Sequence, residues 1–168
     1  MQLYIPQLDE LGFRQALLAD PATMSYNKGC GLGFAGYHED TGCIDFPREA
    51  WAAWYARWVE DPGRFYAYLE EAGAFLGEVS LYPTAPGVYE IGIVLHSAHR
   101  GRGRAQAGLA LLLDQAFAKM GAQEATNCFQ PERKAALRIH RAAGFQVERE
   151  EEGLLHLSLK RENWRQKG

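Results

Sequence analysis

Ile93-Val94-Leu95-His96-Ser97-Ala98-His99-Arg100-Gly101-Arg102-Gly103-Arg104-Ala105 decides how the rest of this chain is read. An apolar run enters a glycine turn, and the turn opens directly into a helical pattern. The start of a helix carries unpaired N–H groups and the positive end of the helix dipole, so it is a ready anion site. Gly101 and Gly103 let the backbone approach a phosphate, Ala105 keeps the first helical turn open, and Arg100, Arg102 and Arg104 add positive charge. A Rossmann dinucleotide turn follows an early strand and needs a third glycine, and neither condition is met. A Walker phosphate loop needs Gly-Lys followed by Ser or Thr, which is absent.

Working outward, 88–96 reads as a strand, with Ile91, Ile93 and Leu95 on one face and Glu90, Gly92, Val94 and His96 on the other. Beyond Gly103, apolar Ala105, Leu109, Leu112, Leu113, Ala116 and Phe117 recur at helical spacing to Met120-Gly121. Upstream, 64–69 and 74–82 form a hairpin around Glu-Ala-Gly, and a helix opens at Pro47 with Trp51, Trp54, Tyr55 and Trp58 on one face. Residues 20–46 lack periodicity, 8–18 suits an amphipathic helix, and 2–6 a short strand. Downstream come a strand at 122–129, a helix from Pro131 to Gly144, and strands at 145–150 and 154–159. In that helix Ala135, Ala136, Ile139 and Ala143 are expected to face inward and the arginines outward. The order implies one α/β (α+β) domain over 1–168: a mostly antiparallel mixed sheet of about seven strands, flanked by about four helices, with one crossover region.

Composition narrows the class. The chain has 168 residues, 47% hydrophobic, and a formal net charge of -3, which suits a globular protein and argues against a nucleic-acid or acidic-membrane partner. Cys30, Cys43 and Cys128 are too few for a disulfide scaffold and fit a reducing, cytoplasmic setting. No signal-peptide pattern or membrane-length apolar run is visible. Cys30, His38, Glu39, Asp40 and Cys43 sit in one segment without a Cys-x-x-Cys pair, so no metal is expected. The aromatics and acids of 27–45 suit a gate for a cationic amine better.

With these residues on the page, the chain resembles the GNAT acyltransferase superfamily. The pattern Arg/Gln-x-x-Gly-x-Gly/Ala after the fourth strand is matched by Arg100, Gly103 and Ala105. A second match is the segment from Pro131 to Gly144-Phe145, which looks like the family's fourth helix ending in Gly-Phe. Tyr89-Glu90-Ile91-Gly92-Ile93 is similar to the branch that includes the ribosomal-protein N-acetyltransferases. The resemblance is specific over 74–146 and only positional before residue 60. It implies acetyl-CoA as cosubstrate, held at the pyrophosphate by backbone N–H groups from Arg100 through Gly101, Arg102, Gly103 and Arg104 to Ala105. It further implies that the fourth strand splays from the fifth near Ile93 and Leu95, pairs there with the pantetheine arm, and polarises the thioester carbonyl. The sequence departs from the family at Arg133, where many members carry an Asn that contacts the cofactor and where the Arg is a candidate phosphate contact, and at His140, where many carry Tyr as the acid that protonates the thiolate.

Five residues are candidates for proton transfer. Glu78 and Glu90 are candidate bases or simply exposed carboxylates. His140 is a candidate general acid or a histidine packed on its helix. Tyr82 and Tyr89 either relay protons or line the cleft. The tryptophan face suits the core better than a substrate pocket. The expected activity is transfer of acetyl from acetyl-CoA to a primary amine of a small molecule or peptide. The alternative is a non-catalytic acyl-CoA sensor, and exposed C-terminal strands leave a homodimer open.

Overall fold

A computed structural model describes residues 1–164. Seven strands form one sheet in the order β1-β2-β3-β4-β5-β7-β6. They are β1 (Gln2–Tyr4), β2 (Phe65–Glu71), β3 (Ala74–Ala85), β4 (Val88–Leu95), β5 (Glu124–Phe129), β6 (Gln146–Glu151) and β7 (Leu154–Lys160). The helices are α1 (Gly12–Ala19), α2 (Pro21–Met24), α3 (Trp51–Trp58), α4 (Arg104–Asp114) and α5 (Lys134–Ala143). β4 and β5 pair in parallel, while β1 with β2, β5 with β7 and β6 with β7 pair antiparallel.

The chain divides into two compact units. The first comprises Met1–Glu78 and Val94–Arg100. Its core packs Leu11, Leu18, Met24, Phe46 and Trp51. Trp51 is buried and donates its indole N–H to the Phe46 carbonyl at 3.2 Å, so this edge of the aromatic helix face is core, as its spacing implied. The expected single helix over 8–18 is broken: Leu8–Glu10 is a 3-10 turn and α1 starts at Gly12. The stretch after Asp20 is not all loop. Asp20 accepts from the N–H groups of Ala22 and Thr23, and Pro21 occupies the first helical position, so the Asp-Pro pair that stops α1 also starts α2.

The second unit comprises Val79–Ile93 and the residues from Gly101 onward. Leu109, Leu112, Leu113 and Phe117 of the α4 segment are buried, as the helical period required, and the helix ends in a π-helical turn, Gln115–Lys119. α5 begins at Lys134, three residues after Pro131, because Gln130 to Arg133 form a turn closed by Arg133 N–H to the Gln130 carbonyl at 3.0 Å. The face of α5 is also offset from expectation. Ala135 is exposed, and the inward set is Ala136, Ile139, His140 and Ala143, a clean i, i+3, i+4, i+7 stripe. Gly144 ends the helix at φ 104°, a left-handed C-cap that glycine adopts without strain.

Candidate active site

Gly101, Arg102 and Gly103 have φ of 88°, 54° and 73°, three consecutive left-handed residues. A Cβ on Gly101 or Gly103 would meet nothing within 4 Å, so conformation and not crowding calls for glycine there. Arg102 holds the same conformation with a side chain, at a cost of about 1–2 kcal/mol. Such a run curls the backbone into a concavity of N–H groups, which suits an anion. Gly103 is the N-cap of α4 and offers no side chain to its first turn. The N–H of Arg104 turns back to the Gly101 carbonyl at 3.2 Å, and Ala107 N–H bonds the Gly103 carbonyl at 3.0 Å. Ala105 is half-buried in the first turn.

Arg100 is engaged elsewhere. Its guanidinium donates to the carbonyls of Ala22 (3.3 Å) and Thr23 (2.7 Å), and its N–H bonds the Ser97 carbonyl at 3.3 Å. Its backbone N–H, like that of Arg104, is thus taken within the chain, and the anion-binding stretch shortens to Gly101, Arg102, Gly103 and Ala105. In the first unit, Ser97 donates its hydroxyl to Asp20 at 3.0 Å and its N–H to Thr23 Oγ1 at 2.8 Å, and Thr23 also donates its hydroxyl to Asp20. These bonds, the Thr23 hydroxyl foremost, hold the Asp20 carboxyl below its usual pKa.

The parallel ladder of β4 and β5 has three pairs: Val88 with Glu124, Tyr89 with Ala125, and Glu90 with Thr126. From Asn127 on, β5 continues paired with β7 as far as Phe129 opposite Leu155, while β4 runs on through Ile93 without a partner on its β5 side. In the first unit Leu95 is buried, and Gly77 lies so close to the end of β4 that a Cβ there would sit 2.1 Å from the Val94 carbonyl.

Glu78 is neither solvated nor at a sheet edge. It is 8% exposed, ion-paired to Arg14, and accepts the Tyr66 hydroxyl on its other oxygen. Arg14 is boxed by Trp54, Phe46 and Tyr66, with ring centroids at 4.4, 5.1 and 5.5 Å. Burial alone would lower the Arg14 pKa, but the Glu78 carboxylate more than offsets it and the net shift is upward. Burial, then the Glu78 charge, pushes the Tyr66 phenol up. This cluster is a closed ion pair in an aromatic box, which puts Glu78 in doubt as a base.

His140 is 1% exposed, with both ring nitrogens engaged. Nδ1–H donates to the Ala136 carbonyl at 2.8 Å, and Nε2 accepts from the Asn127 amide at 2.9 Å. The Asn127 orientation is fixed, because its Oδ1 accepts Cys128 N–H at 2.9 Å. The rings of Phe129 and Phe145 pack at 5.1 and 5.0 Å. Burial lowers the pKa, so the ring is neutral with its one proton committed to a helix carbonyl. That geometry removes the proton a general acid would give.

Arg133 stands at the N-cap of α5 with its guanidinium 5.4 Å from the Phe129 ring. Glu90, Tyr82 and Tyr89 are half-buried. Burial, then the charge of Glu90, raises the pKa of Cys128, so Glu90 and Cys128 are neighbours. In the 27–45 segment Tyr37 donates to the Asn27 carbonyl at 2.6 Å and accepts from Cys30 N–H at 3.1 Å, while Leu32 and Phe34 are exposed. Among the described residues no cluster of His, Cys, Asp or Glu could hold a metal ion, and no helix is long and apolar enough to cross a membrane.

The sequence pattern of the Acetyltransferase (GNAT) domain matches residues 5–146. The fold is similar to spermidine N-acetyltransferase from Vibrio cholerae, a structure in complex with CoA and spermine (TM-score 0.77, 17% identity, 96% of each chain). It is similar to ribosomal-protein-alanine N-acetyltransferase from Brucella melitensis (TM-score 0.71, 18% identity, 95% of this chain and 99% of that one). It also matches an N-acetyltransferase from Campylobacter jejuni in complex with acetyl coenzyme A (TM-score 0.60, 15% identity, 67% of this chain and 78% of that one). No curated protein matches at the level of sequence. At these identities the structural likeness is one of fold, and the family pattern, which covers most of the chain, adds the chemistry. The chain belongs to the GNAT acetyltransferases, enzymes that move the acetyl group of acetyl-CoA onto an amine.

Proposed function

We propose that this enzyme acetylates a small-molecule primary amine by direct attack on acetyl-CoA, as one catalytic domain working in the cytoplasm. The observation that carries it is the end of β4–β5 pairing at Glu90, followed from Gly101 by three consecutive left-handed residues and an uncapped helix start. The pyrophosphate sits on the N–H groups of Gly101, Arg102, Gly103 and Ala105. The pantetheine amides bond the open β4 edge after Glu90, and the Ile93 N–H polarises the thioester carbonyl. Arg102 and Arg104 add charge beside the phosphates. Arg133, at the start of α5, is the remaining phosphate contact suggested by family position.

The amine arrives as an ammonium ion, loses one proton, and attacks the thioester carbon. A C–N bond forms, the C–S bond breaks, and the second nitrogen proton passes to the departing sulfur. Positioning and carbonyl polarisation supply most of the rate. His140 supplies no proton, because both of its nitrogens are already bonded.

One structural neighbour is a spermidine acetyltransferase and another acts on a ribosomal-protein alanine, so the test must span both acceptor classes. CoA release is measured with acetyl-CoA and polyamines, simple alkylamines, amino acids and N-terminal peptides. Turnover of small amines above peptides is expected. Peptide-only turnover overturns the acceptor class. No melting-temperature rise with millimolar acetyl-CoA overturns the cofactor site.

A further inference from the structure

The sheet of the second unit has two chemically different faces. Asn127 bonds His140 and therefore points toward α5, along with buried Ala125, Phe129, Leu155, Leu157 and Leu159. Side chains alternate along a strand, so Thr126 and Cys128 point the other way. Glu90 is the register partner of Thr126, Ser158 faces Thr126, and His156 faces Cys128. On β3, Ser80 belongs to this face as well, because a Cβ on Gly92 would lie 2.5 Å from Ser80 Oγ.

A polar strip thus crosses four strands on the face away from α5: Ser80, Gly92, Cys128 and His156, with Glu90 and Thr126 in the row before. Every one of these residues is half-buried. Facing residues of an antiparallel pair have Cβ atoms about 4.5–5.5 Å apart, so the His156 ring adjoins the Cys128 thiol. The strip lies level with the point where β4 leaves β5. The Ser80 hydroxyl fills the space beside Gly92, and the next residue, Ile93, carries the N–H assigned to the thioester carbonyl.

Resting on that assignment, we propose that His156 is the base that takes the proton from the acceptor amine, with Glu90 drawing the ammonium ion to the strip. Imidazole is the side chain whose ordinary titration lies nearest neutral pH, which suits it to accept a proton and release it to water after each turnover. The Glu90 carboxylate supplies the negative charge that attracts the cation. The charged and titratable groups around His156 are Cys128 from β5, Glu90 from β4, and Arg149, its register partner on β6. Arg149 is paired with Glu151 at 3.1 Å, and Glu148 is held by the Ser158 hydroxyl at 2.7 Å. The proton therefore moves from the ammonium nitrogen to the imidazole, and the neutral amine then forms the C–N bond as the thiolate leaves.

The test compares wild type and His156→Gln on two kinds of acceptor. One is the best ammonium-form amine among butylamine, spermidine and an alanyl dipeptide. The other is methoxyamine, which is already neutral near pH 7 and needs no base. The expected result is a loss of about 100-fold in kcat/KM with the ammonium acceptor. That loss should shrink as the pH is raised and the free amine becomes abundant. With methoxyamine the loss should stay below about threefold. An equal loss with both acceptors, or no loss with either, overturns the assignment. An acetyl-CoA thermal shift retained in His156→Gln shows that the variant folds and binds. A wild type inert toward every amine refutes the acceptor reading and this assignment with it, an outcome distinct from an active wild type whose variant loses rate on both.

Discussion

Asn127 on β5 and His140 on α5 are joined by a hydrogen bond of 2.9 Å, the middle link of a chain from Cys128 N–H through Asn127 and His140 to the Ala136 carbonyl. Every polar atom in it has one partner of the right kind, which fixes both the ring tautomer and the amide orientation. A histidine held in this way is a clamp between helix and strand. The first prediction concerns that distinction. His140→Phe leaves the half-buried Asn127 amide without its acceptor, at about 1–3 kcal/mol. Denaturant unfolding should show that loss, while kcat in the folded fraction stays within about twofold of wild type. A kcat drop of about 100-fold at unchanged stability would return His140 to the mechanism.

The same clamp has a pH signature. Burial depresses the folded-state pKa of His140 below the unfolded value of about 6.5. The unfolded chain therefore binds the proton first. The clamp's contribution is complete above the unfolded pKa and declines as the pH falls toward the folded one. Melting temperature followed from pH 8 down to pH 5 should fall more steeply in wild type than in His140→Gln. Parallel curves would show that the ring titrates normally.

At the phosphate turn, Arg102 and Gly103 share a left-handed conformation but differ in what substitution should do. Arg102→Gly relieves the strained φ of 54° and should stabilise the protein by about 1 kcal/mol, with acetyl-CoA affinity reduced no more than a few-fold. Gly103→Asp puts a carboxylate where a phosphate must approach and adds strain, so affinity should fall at least about tenfold. Calorimetric titration of both variants checks this. Equal losses would mean that the side-chain charge, and not the backbone, makes the site.

Arg14 and Glu78 set a stability test. Glu78→Gln leaves the guanidinium boxed by three aromatic rings without its counter-ion, which typically costs about 3–5 kcal/mol. Replacing both partners, as in Arg14→Met with Glu78→Leu, should recover much of that loss. A double-mutant cycle by urea unfolding measures the coupling. If Glu78→Gln instead folds as well as wild type and loses turnover, Glu78 is a base after all.

The difference between what was and was not legible in the sequence follows from range. The strand at Ile91 and the helix at Leu109 to Leu113 announced themselves through local periodicity, and Gly101 and Gly103 announced a left-handed turn because few other residues tolerate one. Pairings between distant residues carry no such signal. Nothing near Glu78 indicates that Arg14, 64 positions away, neutralises it, and nothing near Arg100 indicates that α2 takes its guanidinium. The offset on α5 is instructive too. Counting from Pro131 put Ala135 inward, but the Gln130–Arg133 turn delays the helix and rotates His140 into the core. His156 is silent in the sequence because a lone histidine in an alternating strand has no motif. Only the register with Cys128 gives it a neighbourhood.

The short β4–β5 ladder has a consequence for the life of the protein. Beyond Glu90 the β4 backbone has no strand on its β5 side, so its N–H and C=O groups on that side must be satisfied by water or by the amides of a pantetheine arm. In the binding mode proposed above, the cosubstrate serves as a surrogate strand. Strand alternation turns the Ile93 N–H to that side, so its amide hydrogen exchange should be fast in the empty enzyme and slow with CoA bound. Because a ligand that binds only the folded state draws the equilibrium toward it, the cell's supply of CoA thioesters also becomes a determinant of how long each copy escapes proteolysis.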